Sequence, residues 1–282
     1  MTTTLRPLGP ERSRPDGGRE RTFEVRVNGR TVGGLTALVS GRPGPRVGSV
    51  RGLTIDQPDR RRGRGTVAVL AAEEVLRSWD CVRVDIAVPD GPDEQAALGL
   101  AGTLGYTLRG LNMRKALSAE APDLPEGSRG RPMSEDEFGS WLAQESEGYV
   151  AGQIAAGMTP EQARARWQAE HTAVLPDGLA TPGAVVRRLE AGGVPVGAVW
   201  VGTAIPEASP DEPPAWVFMV AVDEPHRGRG HGRSLMLLAE RECVARGVRE
   251  LGLHVFAANT PAVSLYRSLG YRTYRSLLHK QL

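Results

Sequence analysis

The chain has 282 residues, which leaves room for two domains of ordinary size, and its formal net charge is only +2. That charge gives no bulk attraction to nucleic acid or to an anionic membrane surface. No run of about 18 apolar residues occurs, and the polar segment Met1–Gly18 lacks the apolar core of a secretory signal. Cys81 and Cys243 lack the spacing of metal ligands and fit reduced thiols, so we expect a cytoplasmic protein without a metal.

The first half of the chain alternates between strand patterns and helix patterns. Phe23–Val27 alternates apolar and polar residues, and Asn28–Gly29 is a hairpin turn signal. The predicted elements of this half are an edge strand at 2–8, strands at 23–27, 31–39 and 47–55, a helix at 67–79, a strand at 82–88, a helix opened by Pro92 and a strand pair from Gly105.

A glycine-rich loop occurs twice. Ile55-Asp-Gln-Pro-x-Arg-x-x-Gly-x-Gly65 recurs as Val222-Asp-Glu-Pro-x-Arg-x-x-Gly-x-Gly232, 167 residues later. Each copy follows an apolar strand and precedes a helical pattern. Such agreement at several spaced positions indicates an internal duplication.

Further positions repeat at an offset of 165 residues, among them the chain's two lysines, Lys115 and Lys280. We therefore predict a first domain at 1–118, a linker rich in proline, glycine and acidic residues at 119–130, and a second domain at 131–282.

The second copy has a helical insert that the first copy lacks. Ser134-x-x-Glu137 is a capping box, and a helix with Phe138, Leu142 and Tyr149 on one face should follow it. A second helix should begin at Thr159-Pro-Glu-Gln162. Strands at 184–189, 194–203 and 216–222 then lead to the second glycine-rich loop.

The loop itself is suited to an anion. Glycines allow backbone N–H groups to converge, the following helix contributes its positive end, and Arg227, Arg229 and Arg233 carry forked donors. A Walker loop would need Gly-Lys-Ser/Thr, and a dinucleotide fingerprint would read G-x-G-x-x-G. The loop matches neither, and its residues predict a pyrophosphate site of another kind; a solvated Arg/Gly turn is the alternative.

A second motif follows the strand 250–256. It reads Asn259-x-x-Ala262, then Tyr266-x-x-x-Gly270-Tyr271. Together with the loop, it resembles the GNAT acetyltransferase superfamily over 216–282. The resemblance implies an α+β, three-layer fold with two tandem GNAT-like domains, each a mixed, splayed central sheet flanked by helices.

The resemblance also implies acetyl-CoA as the cosubstrate, with its arm between strands that part near Val222 and Phe256. The residues it assigns to the cofactor in the second copy are Val220, Ala221, Val222, Arg227, Gly228, Arg229, Gly230, His231, Gly232, Arg233, Asn259 and Ala262. It places the general acid at Tyr266, and a backbone N–H near Val220 or Ala221 is the expected oxyanion donor. From the residues alone, Tyr266 equally fits packed core.

No general base can be assigned. Strand positions that carry an acidic residue in related sequences are Met219 and Ala221 here. The candidates, acting directly or through water, are Glu145, Glu147, Glu170, His171 and His254.

The first copy keeps the loop and loses the rest of the pattern. Ala101 stands where Tyr266 does, and Glu94 aligns with Asn259. A possible second cofactor site comprises Leu53, Ile55, Arg60, Arg61, Arg62, Gly63, Arg64 and Gly65. We expect the first domain to be degenerate and non-catalytic, a tandem arrangement that resembles the mycothiol synthases in architecture only.

The favoured function is an N-acetyltransferase acting on a small primary amine through its second domain, as a monomer or a homodimer. Alternatives are a protein N-terminal acetyltransferase, a non-catalytic acyl-CoA-binding or regulatory protein, and an Arg/Gly-rich nucleic-acid binder. No aromatic residues interleave with the Arg/Gly clusters, so nucleic acid is the poorest match and is not expected as a partner. Acidic residues at Glu145 and Glu147, and in the loop with Glu207, Asp211 and Glu212, suggest a cationic acceptor, with peptide N-termini, aminoglycosides and polyamines all open.

Overall fold

The computed structural model describes residues 2–42, 44–155, 158–203 and 212–282. Glu207 and Asp211 of the acidic loop lie outside these residues. The chain forms two compact units, one of residues up to Gly110 together with Arg275–Leu282, and one of Leu111–Tyr274. They are called unit 1 and unit 2 below, whereas "copy" refers to the repeat in the sequence.

Unit 1 contains a sheet with helices, as its sequence pattern predicts. Its elements are β1 (Thr3–Pro7), β2 (Arg12–Ser13), β3 (Arg19–Val27), β4 (Arg30–Val39), β5 (Val47–Ile55), α1 (Arg64–Ser78), β6 (Arg83–Pro89) and α2 (Glu94–Thr103). The strand order is β1-β3-β4-β5-β6, with β2 paired to β3. Asn28 and Gly29 both have positive φ at the turn between β3 and β4, which confirms the hairpin signal.

Unit 2 repeats this plan and adds the predicted helical insert. Its elements are β8 (Ser128–Pro132), α3 (Glu135–Ala155), α4 (Pro160–Val174), β9 (Ala184–Ala191), β10 (Val194–Gly202), β11 (Ala215–Val222), α5 (His231–Ala245), β12 (Glu250–Phe256) and α6 (Thr260–Ser268). The strand order is β12-β11-β10-β9-β8. Residues 128–130, which the sequence places in the linker, belong to β8, where they pair with β9.

The last strand of each copy straddles the boundary between the units. β7 (Thr107–Ala116) ends the first copy, and its residues from Leu111 onward belong to unit 2, next to β12. β13 (Arg272–Gln281) ends the second copy, and its residues from Arg275 onward pair with β6 in unit 1. The compact units therefore differ at their edges from the contiguous ranges 1–118 and 131–282.

The two lysines of the chain lie on these strands, and each binds a buried glutamate on a helix. In unit 2 the Nζ of Lys115 lies 2.7 Å from both carboxylate oxygens of Glu240 on α5. In unit 1 the Nζ of Lys280 lies 2.7 Å from Glu73 on α1. The side chains of Glu240 and Glu73 are only 4% and 1% exposed, so each lysine neutralises a buried charge.

The central parallel strands part in both units, which confirms the predicted splayed sheets. β5 and β6 pair as far as Val50 and Ile86, and the register of β11 and β12 ends at Val217 and Leu253 among the described residues. All four strands continue beyond those points. A wedge therefore opens between the strand ends in each unit.

A bulge lies beside each wedge. In unit 2 Phe218 is the extra residue of β11, between the partners of Trp200 and Val201 on β10. In unit 1 β5 has one extra residue opposite β4, where Gly52 takes a φ of +61°. Bulges bend a strand and increase its twist, which moves the end of β5 or β11 away from its parallel neighbour.

The insert packs on one face of the sheet in unit 2. Its two predicted capping boxes are present: Ser134 and Glu137 hydrogen-bond reciprocally, and so do Thr159 and Gln162. The apolar face of α3 joins a buried cluster with the strands beneath it: Met133, Phe138, Trp141, Leu175, Val186, Ala198 and Trp200. Helices α5 and α6 contribute to a separate core that contains Leu235, Leu253 and Val263.

The start of α3 is fastened by an ion pair that should titrate. Both oxygens of Glu137 accept hydrogen bonds of 2.6 Å from Arg131, and this contact, followed by the Ser134 N–H, lowers the pKa of Glu137 from 4.5 to about 2. We expect Glu137→Gln to lower the free energy of unfolding at pH 7 by about 1 kcal/mol. Because the folded-state pKa is depressed, the carboxylate stabilises the fold above pH 4.5 and loses that effect as the pH falls towards 2. Urea unfolding at pH 7 and pH 3 measures this, and an equal difference between variant and wild type at both values would contradict it.

Candidate active site

The glycine-rich loop of unit 2 runs from the end of β11 to the start of α5. A short 3₁₀ turn, Glu224–His226, is followed by Gly228 and Gly230 with φ of +77° and +83°. Gly230 is the N-cap of α5, and no side chain caps this helix end. The first N–H groups of a 15-residue helix are thus left for another acceptor.

The arginines of this loop lie at its surface. Arg227 is exposed, and its Nε donates to the carbonyl of Val222 at 3.3 Å, which ties the loop back to the strand. Arg233 donates to the hydroxyl of Ser268 on α6 at 2.6 Å. Arg229 is exposed, and the rings of His231 and His226 lie 6.3 Å apart. The loop therefore presents a cationic rim around the uncapped helix end.

Gly232 is placed where a side chain would fill the wedge. A Cβ at this position would lie 3.2 Å from Cδ2 of Leu265 and 4.0 Å from Cγ2 of Val222. Its φ is ordinary, so the reason for glycine here is close approach between α5, α6 and β11.

The wall of the wedge combines backbone and apolar side chains. Val220, Ala221 and Val222 continue β11 beyond its last pair with β12, so their edge facing β12 has no strand partner in the described part of the chain. Val220 and Val222 pack against the core together with Ala262, Leu265 and Tyr266. An extended ligand can lie along such an edge as an added strand does.

Tyr266 lies half-buried on the α6 side of this wall. Its ring contacts that of Tyr271, with centroids 6.0 Å apart, and its hydroxyl makes no hydrogen bond within the described residues. Burial raises the pKa of Tyr266 above its ordinary value of 10.0, so the phenol stays protonated at neutral pH. The protonated hydroxyl of Tyr266 is therefore chemically able to donate a proton.

Asn259 caps α6. Its Oδ1 accepts from the N–H of Ala262 at 3.2 Å, and Pro261 follows near the start of the helix. Thr260 is the first helical residue. The cap uses the side-chain oxygen of Asn259 and leaves its amide NH₂ for a ligand.

The structure separates the five candidate bases. Glu147 is exposed, and Glu170 accepts from Tyr149 at 2.7 Å and from Arg166 at 3.0 Å. His254 on β12 is exposed and shares a hydrogen bond of 3.0 Å with Asn112. Glu147 is therefore solvated, and the other two side chains already make hydrogen bonds within the protein.

Glu145 and His171 are different. Both are half-buried, and desolvation raises the pKa of Glu145 and lowers that of His171. Neither side chain has a charged or hydrogen-bonded partner among the described residues. Burial therefore disfavours the charged form of each side chain.

A row of aromatic and histidine rings leads from the insert to the bulge, and it was not predicted from the sequence. Successive centroids lie 4.6–5.9 Å apart from Tyr149 through Trp167, His171 and Trp200 to Phe218. Trp167 and His171 are four residues apart on α4, a spacing that does place them on one face. Their alignment with Trp200 and Phe218 depends on how the strands are paired, which cannot be predicted from the spacing of residues along α4.

Unit 1 has the same loop with different side chains. Gly63 is the N-cap of α1 with φ of +72°, and Arg60 donates to the carbonyl of Ile55 at 2.8 Å. Arg61 stands where unit 2 has Gly228 and takes φ of +58°, a conformation that costs about 1 kcal/mol for a residue with a Cβ. The buried Arg64 forms an ion pair with Asp59.

The end of α2 confirms the alignment of Ala101 with Tyr266. The carbonyl of Ala101 accepts from the N–H groups of Leu104 and Tyr106, as that of Tyr266 does from the corresponding residues. The starts of the two helices differ: α2 is one residue longer than α6, so its N-cap is Asp93, and Glu94, which aligns with Asn259, is its first helical residue.

Comparison with known proteins accounts for both units. The sequence model of the Acetyltransferase (GNAT) family matches residues 5–106 and again 165–271. The chain belongs to this family. It is a tandem GNAT protein and an acyltransferase, and the family uses acetyl-CoA.

Two relatives and one solved structure illustrate the similarity. An uncharacterised N-acetyltransferase of Bacillus subtilis, YycN, is 30% identical over 54% of this chain and 96% of its own length. A mycothiol acetyltransferase of Saccharomonospora viridis is 32% identical over 78% of this chain and 70% of its own. A GCN5-related N-acetyltransferase of Sphaerobacter thermophilus has the same fold, with a TM-score of 0.59, 24% identity, and coverage of 92% and 80%.

The described ranges contain no helix that is long and apolar enough to cross a membrane. Within the same ranges, no three His, Cys, Asp or Glu side chains gather as they do around a metal ion.

Proposed function

We propose that unit 2 of this GNAT protein transfers the acetyl group of acetyl-CoA to a primary amine of a small molecule. The observation that carries the proposal is the wedge between β11 and β12, with an uncapped helix end at one side and the hydroxyl of Tyr266 at the other. In this assignment the diphosphate lies at the loop Arg227–Arg233. The pantetheine arm runs along Val220–Val222 and meets the amide of Asn259.

Each residue then has a defined part in the transfer. The amine nitrogen attacks the thioester carbonyl, a C–N bond forms, and the C–S bond breaks. A backbone N–H of β11 near Val220 stabilises the oxyanion, because the strand edge there has no other acceptor. Tyr266 gives its proton to the departing sulfur and keeps thiolate from accumulating in an apolar wedge.

His171 is the residue we assign to accept the proton that the amine loses, through water. It stacks on Trp167, and its edge contact with Trp200 connects it to the bulge at Phe218. Its lowered pKa keeps the imidazole in the neutral, accepting form at pH 7. Glu145 is the other candidate; burial raises its pKa and makes its carboxylate more basic, but it is not part of the row of rings that joins His171 to the bulge.

His171→Gln should lower kcat/KM about tenfold at pH 7, a modest effect because part of the amine arrives neutral. Since the pKa of His171 lies below 6.5, the acidic limb that it causes should fall below that pH and disappear in the variant. Trp167 separates His171 from Tyr149, whose hydroxyl donates to Glu170, and Glu170 also pairs with Arg166. Glu145→Gln, measured in parallel, should keep the limb; if it alone removes the limb, the base is Glu145.

Turnover of acetyl-CoA with a panel of amines tests the function itself. Polyamines, aminoglycosides and peptide N-termini are the arms of the panel, and release of the CoA thiol is the readout. Gly232→Val should abolish turnover because its side chain occupies the wedge beside Leu265, whereas Gly139→Ala, at an open helical position with ordinary φ, should not. Tight acetyl-CoA binding without turnover on any arm would favour a regulatory acyl-CoA-binding protein instead.

A further inference from the structure

Unit 1 contains two adjoining cavities on the helix side of its wedge. One, of about 680 Å³, lies beside the loop Arg60–Gly65 and the start of α2. The other, of about 280 Å³, lies between β5, β6, α1 and α2. They share Leu53, Ala97 and Leu100 in their walls, so a single extended ligand can occupy both.

The walls of the inner cavity are almost wholly apolar. They include Leu53, Ala97, Leu100, Ala101 and Tyr106. The one hydroxyl among them, that of Tyr106, donates to Glu73 at 2.9 Å, and Lys280 binds the other oxygen of Glu73. Burial, followed by this bond to Glu73, raises the pKa of Tyr106. The lining offers no group that exchanges a proton near neutral pH.

The inner cavity reaches the position that Tyr266 holds in the other copy. Ala101 is 2% exposed and lies in the wall, so the space that a phenol would fill is part of the cavity. The missing group has roughly seven non-hydrogen atoms, and such a deletion leaves a corresponding void when the surroundings do not collapse. That void has the size of a short acyl chain.

We propose that unit 1 binds an acyl-CoA whose acyl chain is apolar and longer than acetyl, about four to six carbons, and holds it without turnover. The diphosphate lies at the uncapped start of α1, the arm passes Gly65, and the chain ends beside Ala101. A Cβ at Gly65 would lie 3.3 Å from Leu100, so glycine keeps this passage open just as Gly232 does in unit 2. The proposal concerns unit 1 alone and does not depend on catalysis by unit 2.

A charged acyl chain is the competing ligand. A third cavity, of about 220 Å³, lies on the other side of the same wedge, with Arg51, Arg109 and Arg275 in its wall. Arg109 already pairs with Asp85 at 3.6 Å, and a ligand carboxylate would enter next to that acidic side chain. An apolar chain in the inner cavity does not have to compete with an acidic side chain of the protein, so we favour an apolar acyl chain.

Calorimetric titration of the full-length protein tests the assignment with CoA, acetyl-, butyryl-, hexanoyl- and succinyl-CoA, in the absence of an amine. Each methylene buried in the cavity should tighten one class of site about fourfold, or roughly tenfold or more from acetyl to butyryl. Ala101→Tyr should remove this gain, because the ring fills the same space, and the second copy shows that the position accepts tyrosine. Gly65→Val should weaken all the thioesters at that site by closing the passage.

The matched variant in unit 2 locates the effect. In Gly232→Val the gain with chain length should persist. Its loss there, its persistence in Ala101→Tyr, a preference for succinyl-CoA, or a single class of sites that favours acetyl-CoA would each overturn the proposal. Ligand-free melting temperatures show whether Ala101→Tyr folds, and Gly65→Val gives an independent test if it does not.

Discussion

Tyr266→Phe is expected to lower kcat about 10³-fold and to leave the KM for acetyl-CoA nearly unchanged. The change removes only the hydroxyl, which has no hydrogen-bond partner in the described structure, so the ring packing against Tyr271 and the fold should survive. General acid catalysis contributes 10²–10⁴-fold in enzymes generally, and protonation of the leaving sulfur is the step that depends on it here. Steady-state kinetics with a saturating amine would measure both constants.

Tyr271→Phe is the matched control. The same atom is deleted 6.0 Å away between ring centroids, from a hydroxyl that is buried beside Glu240, and activity should stay near wild type. Because burial raises the pKa of Tyr266 above 10.0, loss of its proton should not limit the wild-type rate below that pH. Equal turnover by the Tyr266→Phe variant and wild type would remove Tyr266 from the mechanism.

The repeat in the sequence predicted the glycine-rich loop well, because the features of the loop are local. Gly230 and Gly232, the capping boxes of the insert and the hairpin at Asn28–Gly29 each depend on a few neighbouring residues. The family resemblance supplied the parting of β11 from β12. Because both copies carry the same loop pattern, the same loop geometry was expected in both.

What the sequence did not contain is the pairing of distant elements. The two lysines were visible as a repeat, but their glutamates lie 125 and 207 positions away and carry no local signature. The row of rings from Tyr149 to Phe218 likewise depends on how α4 lies over β10. The ends of elements also differ from the repeat, since α2 is one residue longer than α6 and has its N-cap at Asp93, one position before Glu94.

The copies have diverged in opposite directions around the same wedge. Unit 2 keeps a hydroxyl at Tyr266 and covers one sheet face with α3 and α4. Unit 1 has Ala101 in place of the hydroxyl and a loop strained at Arg61. Backbone strain is common where a protein binds a ligand, which agrees with the ligand that we propose for unit 1.

Lys115→Met is expected to destabilise unit 2 by about 3 kcal/mol, although Lys115 belongs to the first copy by sequence. Glu240 is buried, and its carboxylate accepts from Lys115 at 2.7 Å on both oxygens. Without the ammonium group, that charge is left in an apolar core. Hydrogen exchange resolved by peptide should show lost protection in α5 and β12, and the corresponding Lys280→Met should lower protection in α1 and β6.

Replacing both partners distinguishes the charge from the packing. Lys115→Met combined with Glu240→Met removes the pair together, and we expect it to recover most of the lost stability because no buried charge remains. A double variant as unstable as Lys115→Met would mean that the lysine acts through its stem, which lies along the ring of Tyr271 with its Nζ 5.6 Å from the centroid. If Lys115→Met lowered protection in α1 and β6 instead of α5 and β12, the assignment of residues 111–116 to unit 2 would be wrong. The expected loss of stability is large because the Glu240 side chain is only 4% exposed, so water cannot solvate the carboxylate once the lysine is removed.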